Sequence, residues 1–238
     1  MAEGEDARRA ELSANLARVR DRIAAAARAA GRDEQPRLIV VTKFHPASDV
    51  RLLAELGVTD VGENRDQEAS AKAAELAHLP LVWHFIGQLQ TNKAKSVVRY
   101  AHTVHSVDRP ALVTALGKAM AGSGREDRVS CLIQVNLDPA ASSGRGGALP
   151  EEVPALAELV DGTARLALAG VMAVAPLGRD PAAAFGRLRA VSEHLRERYP
   201  EATMISAGMS QDLEAAVASG ATHLRIGTNV LGPRPAVR

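Results

Sequence analysis

Chemistry in this sequence starts from a lysine in a chain that otherwise prefers arginine. Five of the 29 Lys and Arg side chains are lysines, at positions 43, 72, 93, 95 and 118. Lys43 closes the apolar run Leu38-Ile-Val-Val-Thr-Lys43. Period-two alternation puts Ile39, Val41 and Lys43 on one face of a strand. An amine at the end of such a face is partly desolvated, which lowers its pKa and leaves more of it neutral. A neutral lysine amine is what condensation with an aldehyde requires. The alternative is a lysine that reaches from a strand end to solvent.

A second group of residues reads as an anion site. The segment Ser206-Ala-Gly-Met-Ser210 precedes a helix expected from Gln211, with Ser210 as its N-cap. Such a helix would aim unpaired N–H groups and its positive dipole end at an anion. Further on, His223-Leu-Arg-Ile-Gly-Thr228 brings Gly227, where backbone can approach a ligand closely, next to Thr228. By alternation with Gly227, Arg225 can face the same side and donate to a ring nitrogen or an oxygen of the ligand; it could equally be an ordinary salt-bridging arginine. Asn64 in Gly62-Glu-Asn-Arg65 and His84 in Trp83-His-Phe-Ile-Gly87 each end or occupy a strand. Either could position a ligand or serve as a satisfied structural side chain.

Other chemistries are disfavoured. The single cysteine, Cys131, sits in the apolar run Cys131-Leu-Ile-Gln-Val135 and reads as a small buried hydrophobe, so neither a disulfide framework nor a cysteine metal cluster is expected. Seven scattered histidines show no zinc spacing, and no metal site is expected. No Gly-x-Ser-x-Gly elbow marks a serine nucleophile, and Gly122-Ser-Gly124 is too short for a dinucleotide fingerprint. With 29 basic against 28 acidic residues, nothing argues for a nucleic-acid or membrane surface. No signal peptide or apolar membrane-length run is visible, so a soluble, cytoplasmic protein is expected.

The elements that must position these residues follow from periodicity. Leu12, Leu16, Val19 and Ile23 recur at helical spacing, which predicts an N-terminal helix over about 7–30, stopped near Gly31. Then eight strand-like runs alternate with Ala- and Leu-rich helical stretches: 38–43, 60–63, 82–87, 103–107, 131–136, 169–174, 203–207 and 223–226. Such alternation indicates a parallel sheet covered by helices. Eight units in about 200 residues suit a small (β/α)8 TIM-type barrel, with an open doubly wound sheet as the runner-up. One domain over 1–238 is expected, the barrel occupying about 38–232. The Gly/Ser-rich stretch 141–147 reads as a mobile loop after the fifth strand rather than as a boundary.

With these motifs in order, the chain resembles the pyridoxal phosphate (PLP) homeostasis protein family from about Leu38 to Gly232. The most specific stretch is Trp83-His-Phe-Ile-Gly-Gln-Leu-Gln-Thr-Asn-Lys93. Support comes from Val41-Thr-Lys43, Gly62-Glu-Asn64, Gly170-Val-Met172, Gly208-Met-Ser210 with Glu214-Ala-Ala216, and Arg225-Ile-Gly-Thr228. The resemblance implies a barrel like the N-terminal domain of alanine racemase, with PLP held as a Lys43 aldimine. It further implies that Ser210, Gly227 and Thr228 hold the phosphate and that Arg225 lies by the pyridine nitrogen, with Asn64, His84 and Met172 completing the cofactor-binding set. An arginine there cannot accept a proton, which makes the cofactor a weak electron sink. The chain departs from the family at Arg65, where an aromatic residue is common, and at Ser142, where a loop lysine is common. Lys93 and Lys95 fall at a helix start with no assigned chemistry, while Lys72 and Lys118 read as solvated helix faces.

Two classes of function compete. The enzyme reading is an amino-acid racemase or decarboxylase, and a racemase of this fold type needs a second, mostly β domain that supplies a catalytic tyrosine opposite the lysine. The eighth strand ends near residue 228 of 238, and Tyr100 and Tyr199 sit near helix ends, so a non-catalytic carrier is expected: a monomer that buffers PLP and passes it to PLP-requiring apoenzymes. A Schiff-base aldolase or other phosphate-binding barrel is a weaker third possibility.

Overall fold

The computed structural model describes residues 2–138 and 146–233. Its strands are β1 (Arg37–Val41), β2 (Asp60–Glu63), β3 (Val82–Phe85), β4 (Thr103–Val107), β5 (Val129–Gln134), β6 (Leu166–Met172), β7 (Met204–Ser206) and β8 (His223–Ile226). All neighbours pair in parallel and β8 returns to β1, with Arg37 opposite His223 and Val40 opposite Ile226, so the barrel is closed. Every strand expected from the sequence is present and the open-sheet alternative falls away.

The helices are α1 (Ala2–Ala29), α2 (Ala47–Glu55), α3 (Asp66–Glu75), α4 (Ala94–Val97), α5 (Pro110–Ala121), α6 (Val153–Asp161), α7 (Pro181–Arg198), α8 (Leu213–Ala218) and α9 (Thr228–Leu231). Proline near the start of α5, α6 and α7 suits positions whose N–H would have no partner anyway. At α7 the Asp180 carboxylate caps the amides of Ala182 and Ala183. The short α4 and α9 carry too few residues for a periodic signal. Among the described residues no helix is long and apolar enough to cross a membrane.

Two apolar regions differ in character. The main core lies between sheet and helices and includes Val40, Val61, Trp83, Leu112, Leu156 and Leu188. Inside the barrel, buried Ile39, Leu132 and Met172 share space with buried polar side chains: His84, His105, Ser206 and Arg225. A polar barrel interior is costly unless its groups are hydrogen-bonded to one another, and here they are.

α1 starts five residues earlier than its apolar spacing suggests, and it packs against α8 and α9. Leu12, Leu16, Val19 and Ile23 are all buried; each contributes about 2 kcal/mol by leaving water. Three polar contacts fix its register: Asn15 Nδ2 to the Val230 carbonyl at 2.9 Å, Arg8 Nη2 to the Leu231 carbonyl at 3.0 Å and Arg22 Nη1 to the Ser210 carbonyl at 2.7 Å. The first helix thus braces the two loops in which the anion site was expected.

Candidate functional site

At the C-terminal mouth of the barrel lies a cleft of about 1010 Å³, lined by Lys43, Ser210, Arg225, Gly227 and Thr228 among others. Residues far apart in sequence meet there because parallel strands deliver their following loops to one end. Of the eight residues expected to bind a ligand, these five converge. The other three do not line the cleft. Asn64 lines a separate hollow with Arg65, Lys93 and Arg109. His84 is buried inside the barrel, and Met172 is buried at the end of β6, in register with Ser206.

Lys43 lies two residues beyond β1 rather than on it. The Thr42 amide still reaches the Gly62 carbonyl at 3.0 Å, after which Phe44 takes a left-handed φ of 69°. That conformation is strained for an aromatic residue and needs support. It comes from the Phe44 amide, which donates to Glu68 Oε1 at 2.6 Å. Lys72 Nζ donates to the same Glu68 oxygen at 2.6 Å, to Glu63 Oε1 at 2.6 Å and to the Thr42 carbonyl at 2.9 Å. The Thr42 hydroxyl also donates to Glu63 Oε1, at 2.7 Å. Both residues flanking Lys43 are therefore held by one buried charge cluster. Burial pushes the Glu63 carboxyl upward, and the Lys72 ammonium and Thr42 hydroxyl pull it back. Lys72 is buried, not solvated as its helical spacing suggests, because Glu63 and Glu68 converge on it.

One wall of the cleft is built from the loops after β7 and β8. Gly208 has φ +91°, and a Cβ there would meet Ala216 Cβ at 2.6 Å and Leu224 Cδ2 at 2.8 Å, so the turn admits only glycine without rearrangement. Ser210 is not a helix cap. α8 begins at Leu213, two residues later than expected, and Asp212 Oδ1 takes the Met209 amide at 2.5 Å, which leaves Ser210 on the cleft wall. Beyond β8, the Val230 and Leu231 amides both return to the Gly227 carbonyl at 2.9 Å. The amides of Thr228 and Asn229, in the first turn of α9, thus have no carbonyl within their helix to serve.

Arg225 is buried beneath this wall. Its Nη1 donates to Ser206 Oγ at 2.6 Å and its Nη2 to the Ala173 carbonyl at 2.9 Å. Burial pushes its guanidinium down to about 10, still a cation at neutral pH. The chain of contacts continues from Ser206 Oγ to His105 Nδ1 (3.0 Å), from His105 Nε2 to His84 Nδ1 (2.9 Å) and from His84 Nε2 to Asp60 Oδ1 (3.0 Å).

Sequence reasoning overlooked several cleft residues. His45 follows the Lys43 turn, is buried, and lies 3.4 Å from Asp49; burial lowers its pKa, so it is neutral. Its nearness to the strand-end lysine was the signal available. Asn229 and the exposed apolar Val174, Leu177 and Met209 also line the cleft. Gly146 lines it too, but Ser142 and most of the 141–147 loop fall outside the described residues. Cys131 is buried and its thiol is pushed up to about 12 by burial, which leaves it inert. Among the described residues no cluster of three or more His, Cys, Asp or Glu could hold a metal.

A closed barrel with a lysine past its first strand and a cleft wall formed after its last two has counterparts among known proteins. Residues 14–235 match the family described as alanine racemase, N-terminal domain, and the chain belongs to that family. Within it, the chain is a member of the pyridoxal phosphate homeostasis proteins: the protein of that name from Mycobacterium tuberculosis is 46% identical over 245 residues, covering 95% of this chain and 94% of the relative. PipY of Synechococcus elongatus, solved with PLP bound, superposes with a TM-score of 0.80 at 34% identity, covering 93% of this chain and all of that one. Alanine racemase from Corynebacterium glutamicum shares the fold alone, at 14% identity and a TM-score of 0.65; this chain spans 63% of it.

Proposed function

We propose that this protein binds pyridoxal phosphate in the cleft, covalently through Lys43 Nζ, and serves intracellular PLP homeostasis by buffering the cofactor and delivering it to apoenzymes. The observation that carries the reading is the convergence of Lys43, the Ser210 and Gly227–Thr228 loops and buried Arg225 on one cleft. These residues fit the cofactor's parts: an amine for its aldehyde, hydroxyl and amide donors for its phosphate, and a permanent cation for its ring. When bound, PLP supplies an aldehyde carbon for amines and a ring that can withdraw electrons.

The protein's own residues do the rest. The Lys72 cluster fixes the backbone on both sides of Lys43, so the amine is presented from a rigid turn. Ser210, Gly227 and Thr228 would hold the phosphate at the mouth. Arg225 donates and cannot accept, so a pyridine nitrogen facing it would stay unprotonated. Proton transfer on both faces of a substrate needs two positioned groups. Tyr100 faces Asp66 and Trp83, and Tyr199 packs under Arg198, both away from the cleft. This favours a carrier over a racemase; that the carrier is a cytoplasmic monomer without nucleic-acid or membrane partners is part of the same proposal. Weak racemase or decarboxylase activity has one observation behind it, neutral His45 on the cleft wall. It predicts alanine or serine turnover that is lost in His45→Gln.

The deciding experiment is an absorbance spectrum of the purified protein loaded with PLP, followed by borohydride reduction and peptide mapping. A visible band, absent from Lys43→Ala, and reduction trapped on the Lys43 peptide are expected. An unmodified Lys43 would overturn the assignment.

A further inference from the structure

Four hydrogen bonds cross the barrel interior between two buried charges. Asp60 sits at the start of β2 and Arg225 near the end of β8; His84, His105 and Ser206 connect them from β3, β4 and β7. All five residues are 5% exposed or less. No link is longer than 3.0 Å.

The donors along this path can be ordered. A guanidinium only donates, so Ser206 Oγ accepts from Arg225. A hydroxyl accepts twice and donates once, so Ser206 can accept from Arg225 and give its own proton to His105 Nδ1. Burial holds the His105 pKa well below its ordinary value, so its ring carries one proton; with Nδ1 accepting from Ser206, that proton sits on Nε2, facing His84 Nδ1. His84 Nε2 in turn faces Asp60 Oδ1 at 3.0 Å. The Asp60 carboxyl accepts: burial pushes it up, but the hydrogen bonds from His84 and Thr59 outweigh burial and hold it below the usual range. Every member donates once toward Asp60, and the series joins one buried cation to one buried anion.

Asp60 also lines a hollow of about 640 Å³ that includes Arg37 and Thr59 at the starting ends of the strands, opposite the cleft. It does not line the cleft itself. We propose that Asp60, His84 and His105 are positioning residues that set the hydrogen bonding of Arg225, and through it the environment of a ligand ring, from the opposite end of the barrel. This inference rests on the cleft being the PLP site. A donor series of this kind polarises each member in turn, so neutralising Asp60 weakens the hold of Ser206 on Arg225 without touching any cleft residue.

The first test needs no cofactor. Long-range ¹H–¹⁵N NMR of the cofactor-free protein should find His84 and His105 each protonated at Nε2 and bare at Nδ1. His105 protonated at Nδ1 would overturn the relay. The second test is Asp60→Asn loaded with PLP: a displaced absorbance maximum and about tenfold weaker retention are expected, the net contribution of about one hydrogen bond. An unchanged spectrum with unchanged His105 signals would refute the proposal. Should Asp60→Asn fail to fold, the wild-type tautomers decide alone. Should the wild type bind no PLP, the functional reading fails while the tautomers still decide the relay.

Discussion

Lys72 Nζ donates to the carbonyl oxygen of Thr42 at 2.9 Å and so holds the residue immediately before Lys43. The same ammonium compensates buried Glu63. Lys72→Met would leave that carboxylate without its cation, and breaking a buried pair this way costs about 3–5 kcal/mol. Urea denaturation should show a loss of this size. Lys72→Met combined with Glu63→Gln should recover a large part of it, because no buried charge is then left over; a double variant no better than the single would refute the pairing.

Gly208→Ala should destabilise by about 3 kcal/mol, from the left-handed backbone and from crowding against Ala216 and Leu224. Gly124 has a similar φ of +74° with nothing within 4 Å of an added Cβ. Gly124→Ala therefore carries the backbone cost alone, about 1 kcal/mol. Thermal unfolding of both separates packing from conformation, and equal losses would show that the Gly208 turn can relax.

Acid should destabilise the protein through its buried neutral histidines. Burial lowers the His223 pKa to about 4, and burial also lowers those of His105, His102 and His45. Below about 6.5 the unfolded chain binds protons at these rings that the native state resists. Stability is thus fully present above about pH 6.5 and falls as the pH drops toward about 4, by about 3 kcal/mol for His223 alone. Melting temperatures across this window should fall steadily, and His223→Gln should flatten the slope. A melting temperature constant from pH 7 to 4.5 would contradict the buried neutral rings.

Pyridoxal, which lacks the phosphate, should bind at least about 100-fold more weakly than PLP, since each hydrogen bond to a charged group contributes about 1.5–3 kcal/mol. Absorbance titrations compare the two directly. Equal affinities would remove the phosphate from the loops after β7 and β8.

Much of the site is legible in the chain because barrel geometry makes it so. Lys43, Ser210, Arg225, Gly227 and Thr228 each lie at or just past a strand's C-terminal end, and the closed sheet carries all such ends to one face. Lys72 is not legible: its spacing on α3 marks a surface position, and its burial depends on Glu63 arriving from the end of β2. The relay is hidden for the same reason. His105 has no carboxylate nearby in sequence, and its partners come from β3 and β7, up to 101 positions away. Ser210 shows a local limit, because a serine and an aspartate two residues apart are both acceptable caps, and the helix begins after the aspartate.

The bracing of α1 has a consequence for biosynthesis. Asn15 and Arg8 bond to carbonyls 215 and 223 positions later, and β1 finds its second neighbour only in β8. A ribosome adds about 5–20 residues per second, so the first helix and strand wait on the order of ten seconds or more for the partners that cover them. During that interval the nascent polypeptide exposes an apolar helix face and an unpaired strand edge, the state in which chaperones are needed most. The barrel cannot close, and the cleft wall after β7 and β8 cannot form, until the chain has been translated past β8.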